Sequence, residues 1–353
     1  MNRIEEAKKE YKAAERKKLM LILVFVVLVA ITVPITLGFG VYKISLVDSI
    51  ITFIQHITGN ITNPKADTFI WDVRLPRALG AITIGAGLSV AGAVMQNDFK
   101  NPLAEPYTMG ISSGAFFGVV IVIVSGACII PGLTGQSAYM VNAFVFSIIP
   151  IALILMVAKF RKVTPVAMIL IGIAVMFLFN SISQVMLLAS TAENLADAYS
   201  WRVGNTSRIG WSELSLLIPV TVVAICLVWT LSRKLDVMYA GDRGAQSLGI
   251  RPNRLRIASM TIVSLMTAAI VSVSGTIGFI GLVGPHIARM FVGSNNKYLI
   301  PASAAFGALF IAVADTVAKV TGPDGLPVGV ISSLVGGPLF VYILIKCRSK
   351  VWM

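Results

Sequence analysis

The chain has 353 residues, of which 56% are hydrophobic and 13% are charged, and its formal net charge is +13. Soluble domains carry roughly twice that share of charged residues, so the composition excludes a soluble globular protein and indicates an integral membrane protein. The positive charge does not indicate a nucleic-acid partner, because Lys and Arg lie in short segments between apolar runs of about 20 residues, a length that crosses a lipid bilayer as a helix.

The apolar runs predict ten membrane-spanning helices that follow a charged cytoplasmic tail at 1–18 and together form one transmembrane domain, 19–353. The predicted spans are 19–40, 75–97, 107–126, 139–160, 164–188, 212–232, 255–274, 280–293, 299–319 and 327–346. With the N-terminus in the cytoplasm, 22 of the 29 Lys and Arg residues lie inside and 7 outside, as the positive-inside rule requires. Both termini are therefore expected in the cytoplasm. Segment 44–59 is amphipathic and is expected to lie along the outer surface.

Ionisable groups at membrane depth would indicate coupling to an ion gradient, and Asp315 is the clear case within a predicted span. An ion-coupled secondary transporter therefore stays an alternative, beside a structural role in which Asp315 bonds a neighbouring helix end.

An enzyme is not expected. The match of 110–114 to G-x-S-x-G opens an apolar helix and lacks the strand–turn–helix setting of that motif. The chain also contains no P-loop, so energy for pumping would have to come from a partner.

The apolar stretch GTIGFIGLVGPHIARMFVG, 275–293, has glycine at every third position before Pro285. The glycines predict close helix packing, and the proline is expected to end or kink the segment. We therefore predict a broken helix with structural breaks at Gly284, Pro285 and His286, and similar breaks at Asn101 and Pro102 in the first half. A single histidine without other ligands nearby is a poor metal site, so His286 is assigned to bonding the backbone and no metal site is predicted.

Three stretches resemble a known family: RLPRALGAITIGAGLSVAGAVMQNDFKNPLAEPYTMGISSGA at 74–115, YAGDRGAQSLGI at 239–250 and GTIGFIGLVGPHIAR at 275–289. They are similar to the permease subunits of vitamin B12 and iron-siderophore ABC importers, the FecCD family, which have the type II importer fold. The resemblance implies an all-α membrane protein of ten helices in the cell membrane. It also implies a permease dimer, expected to be a homodimer, with two cytoplasmic ATPase subunits that bind ATP and Mg²⁺ and a solute-binding protein outside. The chain itself is expected to bind no cofactor.

The resemblance also assigns roles to matching residues. Binding-protein docking is implied for Arg74, Arg77 and Lys319. At position 319 this chain has a lysine, whereas the family usually has an arginine. The loop at about 236–251 is implied to form the ATPase coupling helices, with contacts from Ala240, Gly241, Asp242, Arg243, Ala245, Leu248 and Gly249. An inner gate is implied at Thr164, Pro165 and Val166, although the family pattern there is smaller and richer in hydroxyl groups. The transport pathway is expected to be lined by Gly172, Phe177, Asn180, Ser181, Ser332 and Ser333.

The residues do not select the cargo. The order of expectation is a siderophore-bound iron chelate, then cobalamin or another corrinoid, then haem, then an oxyanion such as molybdate. Whether the second permease is an identical chain or a paralogue is also left open by the sequence.

Overall fold

The computed structural model describes residues 2–40, 42, 44–160, 164–239, 241–322 and 325–346. Within these ranges the chain is built from fifteen α-helices. They are α1 (Asn2–Gly38), α2 (Leu46–Thr58), α3 (Pro64–Thr68), α4 (Leu75–Phe99), α5 (Ile111–Ser125), α6 (Gly135–Phe160), α7 (Pro165–Leu188), α8 (Ala192–Arg202), α9 (Trp211–Thr230), α10 (Ser232–Tyr239), α11 (Asp242–Ser247), α12 (Pro252–Ser274), α13 (Ile280–Val292), α14 (Asn296–Val320) and α15 (Val328–Lys346). A π-helical turn, Phe69–Arg74, joins α3 to α4, and a 3₁₀ turn, Pro106–Met109, precedes α5.

The ten predicted spans all correspond to helices. Seven helical segments are long and apolar enough to cross a bilayer: Lys8–Gly38, Pro64–Phe99, Gly135–Lys159, Pro165–Leu188, Trp211–Thr230, Pro252–Ser274 and Asn296–Val320. The other three predicted spans coincide with the shorter apolar helices Ile111–Ser125, Ile280–Val292 and Val328–Ile343. The all-α fold class is thereby confirmed. The predicted tail is not a separate element, because α1 runs without interruption from Asn2 through the first span.

The amphipathic segment after the first span forms α2, as its periodicity predicts. The side chains of Val47, Ile51, Ile54 and Ile57 are exposed along it. A helix with an exposed apolar face of this kind is typical of a segment that lies in the membrane interface. The prediction that it lies along the outer surface follows from the charge count and stays a prediction.

Helix α4 forms the centre of the molecule and packs against α14, α13, α12 and α9. Nearly every residue from Leu75 to Phe99 is buried, because small residues along this helix let its neighbours approach closely. The tightest contact is with the start of α13. A Cβ atom on Gly92 would lie 1.8 Å from the carbonyl oxygen of Gly281, so no other residue type fits between these two backbones.

The break in the stretch 275–293 lies before the position that the sequence indicated. Helix α12 ends at Ser274 and α13 begins at Ile280, whereas Gly284, Pro285 and His286 all lie inside α13. The prediction of a break at these three residues is therefore wrong. Pro285 leaves the carbonyl oxygen of Gly281 without its usual intrahelical donor. The side-chain nitrogen of Gln96 lies 3.4 Å from that oxygen, so α4 supplies the missing donor.

The nonhelical residues 275–279 are held by main-chain hydrogen bonds to the segment that follows α8, and that segment is bonded in turn to the start of α15. Val203 pairs with Thr276 in a parallel bridge, and the amide of Gly204 donates to the carbonyl of Thr276 at 3.1 Å. The amide of Gly329 in turn donates to the carbonyl of Gly204 at 2.9 Å. We call these contacts among the end of α8, the residues after α12 and the start of α15 the backbone junction. It fixes the relative positions of the three segments.

The chain also leaves helical geometry after α4, where Asn101 and Pro102 lie in the turn that follows Phe99. The side-chain oxygen of Asn101 accepts a hydrogen bond from the amide of Leu103 at 2.9 Å, and its carbonyl accepts from Ala104 at 3.1 Å. These local bonds replace the helical ladder and turn the chain toward α5.

Candidate functional site

Two of the predicted docking residues converge on Asp315, which is fully buried in α14. The guanidinium of Arg77 approaches it with Nη2 2.9 Å from Oδ1, and Nζ of Lys319 lies 3.2 Å from Oδ2. The hydroxyl of Thr206 donates to the same carboxylate. A buried carboxylate needs partners of this kind, because a desolvated charge without them is costly. Asp315 thus joins α4, the loop after α8 and α14, which is the structural role considered for it.

The third predicted docking residue, Arg74, is also directed into the protein. Its side chain is buried and donates to the carbonyl oxygens of Leu37 and Tyr42, so that it ties the end of α1 to the start of α4. Arg74, Arg77 and Lys319 nevertheless line one small pocket of about 140 Å³. The remaining lining residues are Phe39, Gly40, Tyr42, Phe69 and Val73. Docking by these cations stays a prediction, and this pocket is the place where they come together.

The predicted coupling loop contains the expected short helix, α11, between two glycines with positive φ. Gly241 has a φ of 135° and Gly249 a φ of 78°, and such backbone conformations favour glycine. Along the helix Ala245 is buried, whereas Arg243 and Leu248 are exposed and available to a partner. Ala240 lies outside the described residues.

Asp242, the first residue of α11, connects the coupling loop to the membrane helices. Its carboxylate lies 3.2 Å from Nζ of Lys100 and 3.2 Å from Nη2 of Arg256. Partial burial acts to raise the pKa of Asp242, but the charges and hydrogen bonds of Arg256 and Lys100 outweigh it and hold the pKa below its ordinary value. The carboxylate is therefore ionised at neutral pH.

The contacts of Asp242 continue into α4 and α12. The Nε atom of Arg256 donates to the carbonyl of Asp98 at 3.0 Å, and the hydroxyl of Ser259 donates to the Asp98 carboxylate at 2.6 Å. The side chain of Asn97 donates to the carbonyl of Leu235 in α10 at 3.1 Å. We call Asp98, Lys100, Asp242, Arg256 and Ser259 the coupling network. It joins the short helix α11 to the end of α4 and the start of α12.

The predicted inner-gate residues form the start of α7. The hydroxyl of Thr164 caps the helix by accepting from the amide of Ala167 at 3.3 Å, and Pro165 occupies the first turn, where its missing amide costs nothing. Val166 is exposed. A gate at these residues stays a prediction.

A cavity of about 690 Å³ lies between α5, α7, α8 and α15 and beside the backbone junction. Two of the predicted pathway residues, Asn180 and Ser333, line it. Phe177 and Ser181 are exposed on the same helix as Asn180. Gly172 and Ser332 are buried instead, and the Ser332 hydroxyl donates to the carbonyl of Gly329 at 3.1 Å. The remaining lining comes from Ser112, Ser113, Phe116, Met176, Arg202, Val203, Thr276, Gly278, Gly329, Val330 and Leu334.

Two features of these sites were missed by sequence reasoning. Arg202 lines the cavity, although its sequence position showed only a cation in a predicted outer loop. Arg256 and Asp98 join the coupling network, but they are separated by more than 150 residues and no local pattern relates them. A search for charged residues at helix ends would have identified Arg202, Asp98 and Arg256. It would not have shown that Arg256 bonds to Asp98.

A bundle of apolar helices, with a cavity between them and short helices tied to the ends of its spans, is typical of a membrane transport protein. A model of the FecCD transport family matches residues 22–346, and the chain belongs to that family. The chain is 34% identical over 335 residues to the Fe(3+)-citrate import system permease protein YfmE of Bacillus subtilis, covering 94% of this chain and 96% of the relative.

Two further similarities agree with this assignment. The chain is 35% identical over 280 residues to the cobalamin import system permease protein BtuC of Halobacterium salinarum, covering 79% of this chain and 74% of the relative. It also superimposes on a solved inward-facing structure of a metal-chelate type ABC transporter with a TM-score of 0.82 and 28% identity, covering 93% of this chain and 99% of that one. These relatives are transport permeases and not enzymes.

Proposed function

We propose that the chain is the permease subunit of an ATP-driven importer that moves a metal chelate across the cell membrane into the cytoplasm. An iron-siderophore chelate is the first candidate cargo, followed by cobalamin or another corrinoid, then haem, then an oxyanion such as molybdate. The names of the relatives support the class of cargo: one imports ferric citrate, another cobalamin.

The observation that carries this proposal is the coupling network. Helix α11 is exposed through Arg243 and Leu248, and Asp242 ties it to Lys100 and Arg256. A cytoplasmic ATPase that displaces α11 on binding nucleotide would therefore pull directly on α4 and α12, which is a rigid-body switch. ATP hydrolysis accordingly belongs to two partner subunits, each with its own ATP and Mg²⁺, and the coupling loop faces the cytoplasm with both termini.

A second permease copy, an identical chain in the simplest case, completes the pathway. Helices α7 and α15 both line the cavity and both expose large apolar side chains, among them Phe177 and Leu334. In the proposed homodimer these faces meet, so that the two cavities form one central path. An outside solute-binding protein delivers the cargo and docks near the pocket lined by Arg74, Arg77 and Lys319, where complementary charge would steer its approach.

No observation favours the ion-coupled secondary transporter. Its candidate carboxylate, Asp315, is engaged by Arg77, Lys319 and Thr206. A carboxylate whose two oxygens are both engaged by protein groups in this way is poorly placed to bind and release an ion in each cycle.

The test is ATP-dependent uptake by the permease reconstituted in liposomes with its ATPase and binding protein. We expect a radioactive ferric chelate to accumulate with ATP and not with an ATPase partner that cannot hydrolyse it. Uptake that follows a proton or sodium gradient without ATP would contradict the proposal. Cellular metal content of a deletion strain then ranks the cargo: lower iron supports a siderophore or haem, lower cobalt a corrinoid, and lower molybdenum an oxyanion.

A further inference from the structure

The cavity carries one positive charge and no negative charge among the described residues that line it. Arg202 is that cation, and the other lining groups are apolar side chains, small hydroxyl side chains and the amide of Asn180. A lone charge beside a largely apolar wall acts over a longer range than it would in open water, because the apolar side screens it weakly. The cavity is therefore electrostatically biased toward an anion.

The guanidinium of Arg202 is available to a ligand. Its central carbon lies 4.9 Å from the centre of the Phe116 ring, a cation–π contact that leaves hydrogen-bond donors at the guanidinium edge. In the described part of the chain no carboxylate forms an ion pair with it. By contrast, Arg208, in the loop that follows α8, donates to the carbonyl of Ser200 at 3.1 Å and does not line this cavity.

The backbone junction holds Arg202 in place. Arg202 is the last residue of α8, and the next two residues, Val203 and Gly204, make the main-chain contacts to Thr276. The backbone at Arg202 is thus held by main-chain bonds of the next two residues, and its guanidinium rests on the Phe116 ring without an acidic partner in the described residues that would neutralise its charge. A group that is prepositioned in this way loses little freedom when it binds a ligand.

We propose that Arg202 selects a cargo of net negative charge, namely a ferric chelate that carries ionised carboxylate or phenolate oxygens, over a neutral chelate of similar size. This inference rests on the proposed function and narrows its cargo. Arginine binds such oxygens through two parallel hydrogen bonds, which a neutral ligand does not reproduce with the same strength. A cavity of about 690 Å³ also matches a chelate better than a small tetrahedral oxyanion. In the proposed dimer a second Arg202 would face the same path.

The experiment measures equilibrium binding to the permease–ATPase complex in lipid nanodiscs, without the binding protein, so that only the selectivity of the permease is read. The probes are radioactive ferric citrate, which is anionic, and a neutral ferric trihydroxamate. We expect the wild-type complex to bind ferric citrate about tenfold or more tightly than the neutral chelate, as a charge-assisted hydrogen bond implies. Arg202→Gln should abolish that preference, Arg202→Lys should retain part of it, and the matched control Arg208→Gln should leave it unchanged.

Equal wild-type affinities, or an Arg202→Gln complex that keeps the full preference, would overturn the inference. If Arg202→Gln does not yield a folded complex, the salt dependence of ligand binding by the wild-type complex tests the inference. Raising the salt concentration must weaken binding of ferric citrate and not of the neutral chelate, and equal responses would refute the role of charge. ATP-dependent metal uptake in liposomes is measured separately. If the wild type takes up metal with ATP but shows no preference for ferric citrate, only the role of Arg202 is refuted. If the wild type shows no ATP-dependent uptake, the proposed function is refuted as well.

Discussion

Asp242 and Arg256 form an ion pair at 3.2 Å that joins the first residue of the short helix α11 to the first turns of the long helix α12. Arg256 is buried and also donates to the carbonyl of Asp98, whereas Asp242 is partly exposed. A movement of α11 therefore reaches two membrane helices through one side chain. The consequences for transport can be measured.

Removing the charge of Asp242 should uncouple ATP hydrolysis from transport. In Asp242→Asn the link from α11 to Arg256 and Lys100 is weakened, so we expect metal uptake per ATP hydrolysed to fall several-fold while the complex still assembles and hydrolyses ATP. Uptake and ATPase activity are measured on the same liposomes. Ser247→Ala, a change elsewhere on α11, is the matched control, because Ser247 bonds only within its own helix. An unchanged ratio in Asp242→Asn would contradict the coupling role.

The same ion pair predicts a dependence on pH. The pKa of Asp242 is lowered in the folded protein, so its contribution is present above the ordinary aspartate value of about 4 and is lost only as the pH falls through the lower folded value. The difference in coupling between wild type and Asp242→Asn should therefore stay constant from about pH 8 to pH 5. If wild type and Asp242→Asn become equally coupled within this pH range, the Asp242 carboxylate is not held in its charged form.

The carboxylate of Asp315 should matter for stability. Asp315→Asn leaves the partly buried Arg77 and the buried Lys319 without their counter-charge, and breaking a buried ion pair from one side costs about 3 kcal/mol or more in the free energy of unfolding. We expect a clearly lower thermal unfolding midpoint in detergent. The exposed Glu193→Gln serves as the control and should leave the midpoint unchanged. A stable Asp315→Asn protein that had lost uptake would instead restore the ion-coupled alternative.

The close approach of α4 and α13 predicts an intolerant glycine. A Cβ atom on Gly92 would lie 1.8 Å from the carbonyl oxygen of Gly281, and neither backbone can move aside without displacing its helix. Gly92→Ala should therefore destabilise the protein by more than the 1–3 kcal/mol or so that is typical of overpacking. Gly244→Ala is the control: nothing lies within 4 Å of its Cβ position, and alanine favours the helix there. Equal thermal midpoints for the two variants would contradict the close packing.

One substitution at Arg77 tests both docking of the binding protein and the stability of the ion pair with Asp315. Arg77→Glu should slow association of the binding protein with the permease at low salt, because complementary charge mainly raises the association rate. It should also lower the thermal midpoint, since it places a second carboxylate beside Asp315. Lys65→Glu, at an exposed residue of α3, is the control for the effect of any added negative charge on the predicted outer surface. An association rate that is unchanged in Arg77→Glu would remove this residue from the docking surface.

The sequence allowed the helices to be predicted because lipid leaves few alternatives. Apolar runs of sufficient length must become helices, and all ten predicted spans correspond to helices in the structure. The short helix α11 was predictable for a local reason, since Gly241 and Gly249 flank it. The residue roles predicted from family resemblance and the orientation predicted from the charge count stay predictions.

What the sequence did not show depends on contacts between distant segments. Pro285 was expected to break a helix, but Gln96 from α4 lies within reach of the carbonyl that the proline leaves free, and α13 continues. Arg74 was expected to face a partner, yet it bonds carbonyl oxygens of Leu37 and Tyr42. Neither partner could be identified from neighbouring residues, because each pairing is fixed only when the helices pack.

The bonds at the backbone junction involve no side chains. Thr276, Gly204 and Gly329 are joined through amide and carbonyl groups alone, and although Thr276 and Gly329 also line the cavity, most of its wall comes from residues outside the junction. Relatives that carry ferric citrate and cobalamin can therefore differ in the residues that touch their cargo while keeping the same frame. A new specificity can be built into this scaffold by changing side chains of the cavity wall while the main-chain bonds of the junction are kept.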